Sequence, residues 1–270
     1  MRQFDGAAGT VNYREWLVAE PRSVAVLVHG VGEHSGLYDR FAAHLNANMI
    51  SLLALDQIGH GLTEGNRAEI ESLQDLVRDV VSLTQIAVDS HPTVPVVLIG
   101  HSLGGIVAAV VAGRYPDRYT GLVLSGTTLA APADWSEVEE VDESAADEFD
   151  MDLSALSADP WYLAAMANDP LVFSGGAEMT RSLRRVLPPA WEELGSSLPK
   201  IHIPVLIVHG EDDEVSPFAA AEKSARQLTN AHVICFTGGK HDVLNDTAHE
   251  GVAAVIGQFV VGLLSADSAS

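Results

Sequence analysis

The chain has 270 residues, 47% of them hydrophobic and 19% charged, a composition typical of a globular protein with one large domain or a domain carrying an insertion. Its formal net charge of −22 argues against attraction to nucleic acid or to an anionic membrane. The single cysteine, Cys235, excludes an intramolecular disulfide, and we expect it to be a small buried side chain. Neither a signal peptide nor a transmembrane run is visible, so we expect a cytoplasmic protein.

Short apolar runs alternate with longer helical patterns along most of the chain. Strands are predicted at 23–30, 51–56, 94–100, 121–126, 203–210 and 232–239, and helices at 37–48, 72–90, 103–115, 218–229 and 246–264. Strands that are apolar throughout are typical of a parallel sheet covered on both faces. The alternation therefore predicts an α/β fold with a doubly wound, mostly parallel sheet, preceded by an antiparallel strand near Thr10.

The alternation stops between residues 127 and 199, which we interpret as an inserted helical cap on a core formed by 1–126 and 200–270. Within it, residues 137–152 carry nine acidic side chains and no basic one, so they form either a solvated loop or a mobile entrance to a lid. The later stretch "MTRSLRRVLPPAWEEL" predicts an amphipathic helix that ends at Pro188 and Pro189.

Six aromatic and aliphatic side chains are concentrated in the middle of this insertion. They are Trp161, Tyr162, Met166, Leu171, Val172 and Phe173. Such a group forms either the core of a small subdomain or the apolar lining of a pocket. We assign these six side chains to a substrate pocket under the cap.

The stretch "GHSLG" fits the G-x-S-x-G pattern around a nucleophilic serine, here Ser102. A strand is predicted directly before it and a helix directly after it, which is the context in which this pattern forms a sharp turn. Gly100 and Gly104 keep side chains out of that turn. A serine hydroxyl is a weak nucleophile at neutral pH, so it needs a neighbouring base.

Candidates for the base and for the acid that orients it follow in the order acid, then histidine. After the strand at 203–210, the G-x-x-D-x-x-x-P spacing favours Asp213, with Asp212 as the alternative. His241 follows the last predicted strand and two glycines. All three candidates lie just past the carboxyl ends of predicted parallel strands, where open α/β sheets form their sites. The sequence thus predicts a Ser102–His241–Asp213 catalytic triad.

Acyl transfer also needs hydrogen-bond donors for the oxyanion of the tetrahedral intermediate. "HGVGEHSGLY" at 29–38 follows the first parallel strand, and its glycines expose backbone N–H groups. We expect the N–H groups of Val31 and Leu103 to form this oxyanion hole.

Several stretches together resemble the α/β-hydrolase superfamily and, within it, the monoacylglycerol lipase branch. "HGVGEHSGLY", "LDQIGHGLTEG", "GHSLGG", "NDPLVFSGG" and "GKHDVLND" are similar to that branch's HGxGEHSxRY, DxxGHGxSEG, GHSMGG, DPL and HE-x-LNE segments. The departures are Leu37 for arginine, Thr63 for serine, Leu103 for methionine and Asp242 for glutamate. The resemblance runs from about residue 10 to 264 and weakens at 130–155.

This resemblance implies an α/β-hydrolase fold and a serine carboxylester hydrolase that needs neither a metal nor an organic cofactor. It implies a small-molecule monoester substrate with one medium or long chain, held under an apolar cap. A transient contact of this cap with a lipid surface is one expectation, and association of the cap with itself is the alternative. A monoalkyl aromatic half-ester, such as a monoalkyl phthalate, would fit an apolar tunnel equally well. An anionic substrate of that kind would need a cation in the pocket. The candidates are Arg181, Arg184 and Arg185, and the alternative is that these three side chains lie on a solvated helix face.

Other classes of function fit the sequence less well. Its eleven histidines include no H-E-x-x-H metal motif, and no G-x-G-x-x-G follows a first strand as in dinucleotide-binding proteins. A peptidase of the same fold stays open as an alternative. A non-catalytic binding protein on this scaffold is the remaining alternative, although all three triad candidates are present.

Overall fold

The computed structural model describes residues 1–132 and 151–267 and contains one eight-stranded sheet within them. The strands are β1 (Arg2–Asp5), β2 (Thr10–Trp16), β3 (Ser23–Val28), β4 (Ile50–Leu55), β5 (Val96–His101), β6 (Gly121–Ser125), β7 (Val205–Gly210) and β8 (Ala231–Phe236). Their order across the sheet is β1-β2-β4-β3-β5-β6-β7-β8. The pairs β1–β2 and β2–β4 are antiparallel and the others are parallel, which confirms the predicted mostly parallel sheet.

Helices cover both faces of this sheet. They are α1 (Asp39–Ala47), α2 (Leu73–Ser90), α3 (Leu103–Arg114), α4 (Leu153–Leu156), α5 (Pro160–Asn168), α6 (Ala177–Ser197), α7 (Phe218–Ala225) and α8 (His249–Asp267). Alternate residues of β3 belong to the two separate apolar clusters on either side of the sheet. Both faces of the central strands are therefore buried, which is why their sequences are apolar throughout.

Two features at the edges of the sheet were not expected. The sequence analysis did not predict β1, whose four residues are mostly exposed and pair only with β2. Cys235 is exposed, so the expectation of a buried thiol is wrong. Because β8 is an edge strand, its side chains are not covered as those of the central strands are.

Helix α6 does not end at the prolines as predicted. It continues through Pro188 and Pro189 as far as Ser197. Its buried side chains beyond the prolines, Ala190 and Leu194, join the apolar cluster that contains α2 and α3. This burial helps to offset the cost of the two internal prolines, which is about 3 kcal/mol or more for each.

The helices α4, α5 and α6 all lie between β6 and β7 in the chain. Most of the acidic segment 137–152 lies outside the described residues, so its interpretation stays a prediction. Among the helices of the described part of the chain, none is both long and apolar enough to cross a bilayer.

Candidate active site

Ser102 occupies a strained turn between β5 and α3. Its φ of 51° and ψ of −121° are values that residues other than glycine rarely adopt. The turn is tight because the chain closes on itself: a Cβ on Gly100 would lie 2.4 Å from the carbonyl oxygen of Gly104, and one on Gly104 would lie 2.1 Å from that of Val28. Only glycine fits at 100 and 104, as the G-x-S-x-G pattern predicts.

Hydrogen bonds connect Ser102 to His241 and His241 to Asp213. The Oγ of Ser102 lies 2.9 Å from Nε2 of His241, and Nδ1 of His241 lies 3.0 Å from both carboxylate oxygens of Asp213. Asp213 follows β7 and His241 follows β8, so the carboxyl ends of three parallel strands supply the three side chains. Asp212, the alternative acid, is exposed.

Asp213 is held as a carboxylate by three further contacts. The N–H groups of Val215 and Ser216 donate to its Oδ1 at 3.0 and 2.8 Å, and Nε2 of His209 lies 3.0 Å from its Oδ2. Burial alone would raise the pKa of Asp213, but the hydrogen bonds of His209, His241 and Ser216 outweigh it and hold the pKa well below the usual range. The sequence analysis missed His209, which reads only as a polar residue at the end of an apolar strand.

His241 is fully enclosed, and this sets its protonation state. Burial lowers its pKa from the ordinary value, and the hydrogen bond and charge of Asp213 oppose that shift only in part. The imidazole is therefore neutral at pH 7 and can accept a proton from the hydroxyl of Ser102.

The oxyanion-hole candidates Val31 and Leu103 both line the same cavity as Ser102. Leu103 is the first residue of α3, where helical N–H groups have no partner within the helix. Val31 follows Gly30, whose N–H donates to Oε2 of Glu33 at 2.7 Å. Both candidates thus lie in segments whose backbone is held in place beside the serine.

A cavity of about 240 Å³ opens at Ser102. One wall is a face of α6, formed by Leu183, Leu187 and Trp191. The other described residues that line it are Val31, Leu103, Ile106, Gly126, Thr127, Thr128, Pro132, Met151, Val215, Ser216 and His241. No Asp, Glu, Lys or Arg side chain is among these described lining residues, so the cavity is suited to an uncharged, largely apolar group.

The structure places the six predicted pocket residues elsewhere. None of Trp161, Tyr162, Met166, Leu171, Val172 and Phe173 is among the described residues that line this cavity. Trp161 is 56% exposed, with the Arg40 guanidinium 4.2 Å from its ring centroid, whereas Tyr162 is fully buried and Phe173 packs against the His60 ring. The wall they were expected to form is supplied by α6 instead.

Glu33 lies in a buried polar cluster. Besides Gly30, the hydroxyls of Tyr38 and Tyr162 donate to its carboxylate at 2.7 and 2.9 Å. Burial, followed by the charge of Asp242, raises the pKa of Glu33 to about 7. Oxygen and nitrogen atoms of Glu33, His101 and Asp242 come within 4.8 Å of one another, as metal ligands do. The hydroxyl and amide donors around Glu33 already satisfy both of its oxygens, so they favour a structural role.

The candidate cations for an anionic substrate are not among the described residues that line the cavity. Arg181 pairs with Glu178 at 2.5 Å, and Arg185 donates to the carbonyl of Ile70 at 2.9 Å. Arg184, like these two, is absent from the described lining of the cavity.

Residues 19–248 match the family model described as "Serine aminopeptidase, S33". Over its length the chain is also similar to monoacylglycerol lipases. It is 30% identical to the monoacylglycerol lipase of Mycolicibacterium smegmatis over 97% of this chain and 96% of that protein, and 30% identical to the human monoglyceride lipase over 72% and 66%. The crystal structure of the Paleococcus ferrophilus monoacylglycerol lipase superposes with a TM-score of 0.77 at 25% identity, covering 94% of this chain and 98% of that one.

The fold and the serine–histidine–aspartate arrangement define an α/β hydrolase. The chain belongs to the serine hydrolase family whose model it matches and, within it, to the monoacylglycerol lipase and esterase group, whose reaction is carboxylic ester hydrolysis.

Proposed function

We propose that this protein is a serine carboxylester hydrolase in which Ser102, His241 and Asp213 form the catalytic triad. His241 takes the proton of Ser102 as its Oγ attacks the ester carbonyl, and returns it to the departing alcohol. A water molecule activated by His241 then releases the acid from the acyl-enzyme. Asp213 holds the imidazole in the tautomer with its proton on Nδ1, as the 3.0 Å contacts to that atom require.

The negative oxygen of each tetrahedral intermediate is held by the N–H groups of Val31 and Leu103. Ser102 is the N-cap residue of α3, and the helix dipole places partial positive charge at that end of the helix. A donor of this kind stabilises the transition state by roughly 3–4 kcal/mol.

The substrate is a monoester with one medium or long acyl chain, as in a monoacylglycerol. The observation that carries this is the cavity of about 240 Å³, with an apolar wall and no charged side chain among its described lining residues. That volume is below the range of roughly 300–1,000 Å³ typical of pockets for drug-sized ligands, so it suits one chain rather than two. The similarity to monoacylglycerol lipases agrees with this substrate class.

Residues 127–199 act as the cap in this proposal. Helix α6 supplies the wall facing Ser102, and α5 is joined to the core through Tyr162. A transient contact of the cap with a lipid surface would deliver such substrates.

Initial rates on a panel of esters test this function, with Ser102→Ala as the blank. The panel contains monoacylglycerols of several lengths, a diacylglycerol, a triacylglycerol, a monoalkyl aromatic half-ester and an amino-acid anilide. We expect monoacylglycerols to be cleaved fastest, and the folded Ser102→Ala variant to lose about 10⁶-fold in kcat. Retained turnover in that variant would overturn the mechanism.

The other panel members discriminate the alternatives. Preference for the half-ester would mean that an anionic group is accepted without a cation among the described lining residues. Preference for the anilide would favour the peptidase function that the family description names. A free amino terminus needs an acidic partner, and the described lining of the cavity offers none. No turnover of any panel member would favour the non-catalytic binding protein.

A further inference from the structure

We infer that Trp191 sets the upper limit of acyl-chain length by closing the far end of the cavity at Ser102. This inference deepens the proposed function and rests on it for the identity of the chain as an acyl group. It is carried by a second cavity, which shares Trp191 with the first.

The second cavity measures about 380 Å³, and the described residues that line it are Leu129, Ala130, Ala131, Pro188, Trp191, Glu192, Gly195 and Gln227. We call it the outer cavity and the one at Ser102 the inner cavity. Of all described residues, Trp191 is the one that lines both. The two cavities therefore share this one residue, which is where the inferred partition stands.

The geometry of α6 explains how one side chain can face two cavities. Leu183, Leu187 and Trp191 follow one another at intervals of four and form the wall of the inner cavity. The outer cavity is lined by Pro188, Glu192 and Gly195, which lie on the neighbouring stripe of the same helix. Trp191 stands at the boundary of the two stripes.

The outer cavity offers a path to solvent. Leu129 is buried, whereas Glu192, Gly195 and Gln227 are exposed. An acyl chain that passed the indole would first contact apolar groups and then emerge beside polar ones. Removing the indole would join the two cavities into one longer channel, so that longer chains could bind.

Labelling of Ser102 by alkyl fluorophosphonates with chains of four to sixteen carbons measures the length of this channel. The serine Oγ bonds to phosphorus, fluoride leaves, and His241 takes the hydroxyl proton, so the reaction does not depend on which ester is the substrate. For wild type we expect the second-order rate constant to rise by about fourfold per methylene while the chain still gains burial, and then to level off.

We call the chain length at which the rate constant levels off the break. Trp191→Ala should move the break to longer chains by at least two methylenes, so that chains beyond the wild-type limit react roughly fifteenfold faster. Trp191→Leu keeps an apolar side chain on the core and should shift the break less. If the alanine variant does not fold, the leucine variant is compared with wild type in its place. An identical break in wild type and in the folded variants would overturn the inference.

Gly195 provides the matched control, because a Cβ added there meets nothing within 4 Å. Gly195→Phe fills the outer cavity and should leave the wild-type length profile unchanged. In the double variant Trp191→Ala/Gly195→Phe we expect the break to return toward its wild-type position. A break that stays at the longer length in the double variant would show that the extra chain runs elsewhere, against the inference.

Ester turnover tests the proposed function, and the length dependence of labelling tests the role of Trp191, so the two can fail independently. Labelling with the expected length dependence but no ester hydrolysis would overturn the proposed function and keep Trp191 as the end of the cavity. Ester hydrolysis with the same break in wild type and in the Trp191 variants would overturn the inference on Trp191 and keep the proposed function.

Discussion

The hydroxyl of Tyr162 donates a 2.9 Å hydrogen bond to Glu33, a residue 129 positions earlier in the chain. Both side chains are buried, Tyr162 on α5 and Glu33 in the loop that follows β3. The same carboxylate accepts the N–H of Gly30, which precedes the oxyanion-hole candidate Val31. One carboxylate thus joins a helix of the proposed cap to the backbone beside the candidate nucleophile.

Replacing Tyr162 by phenylalanine should cost about 1.5–3 kcal/mol of the free energy of unfolding at pH 8, because it removes a buried hydrogen bond to a charged group. Tyr119→Phe is the matched control, since the Tyr119 hydroxyl is buried and lies 2.8 Å from the neutral hydroxyl of Thr84. Its cost should be about 1 kcal/mol. Denaturant unfolding of both variants measures the difference. Equal costs would mean that the carboxylate gives Tyr162 no special stability.

Glu33→Gln should change how stability depends on pH. A carboxyl whose pKa is about 7 in the folded chain, instead of 4.5, favours folding most strongly below pH 4.5. That contribution is lost as the pH rises through 7, and the full loss is roughly 3 kcal/mol. Because glutamine does not ionise, the free energy of unfolding of Glu33→Gln should rise by about that much relative to wild type between pH 5 and 8.

The measurement is the free energy of unfolding of both proteins across this pH range. Taking the difference between them cancels the titration of the buried histidines, whose contribution runs in the opposite direction. Glu20→Gln makes the same chemical change at an exposed glutamate and is the control for the substitution itself. A difference between Glu33→Gln and wild type that does not change with pH would contradict a raised pKa of Glu33.

Asp213→Asn should lower kcat by about 10⁴-fold while the protein stays folded, because an amide no longer selects the tautomer in which Nε2 of His241 accepts the serine proton. Asp212→Asn changes the exposed neighbour and should keep kcat within about twofold, as expected of a surface substitution with effects below ~0.5 kcal/mol. Steady-state rates on one ester suffice. If Asp212→Asn were the damaging change, the acid of the triad would have to be reassigned.

The pH profile of kcat/KM should follow the pKa of His241. The base must be neutral to accept a proton, so activity falls as the pH drops through that pKa. Since burial lowers this pKa from 6.5, we expect the acid limb to have its midpoint below pH 6.5. Asp213, whose pKa is held still lower, stays ionised throughout this range. A midpoint above pH 6.5, with the fold intact by circular dichroism, would contradict a desolvated His241.

The parts of the candidate site that depend on local chain geometry were visible in the sequence. The turn at Ser102 was predicted because Gly100 and Gly104 flank it between an apolar strand and a helix, and the backbone there is as tight as the pattern requires. Asp213 and His241 were placed at strand ends, and carboxyl ends of parallel strands share one edge of a sheet whatever the side chains around them. No sequence pattern indicated that His209 would contact Asp213.

The cavity wall depended on contacts between distant parts of the chain. Apolar residues of α5 were expected to line it, but Tyr162 turns inward to Glu33 and Trp161 outward to Arg40. Leu183 and Leu187 of α6 line the cavity before Pro188, and the continuation of the helix through both prolines adds Trp191. Packing of α6 against α3 helps to offset the cost of these two prolines.

By itself, then, the sequence determined the α/β order of elements, the strained serine turn and the acid and histidine that follow strands, because strand periodicity, glycine spacing and chain order are local or topological properties. The tertiary structure alone decided which helix faces Ser102, where Glu33 finds its partners and which residue lines two cavities. Hydrophobic burial has no direction of its own, so an apolar helix face can be satisfied by several surfaces, and only the packing of the whole chain selects one.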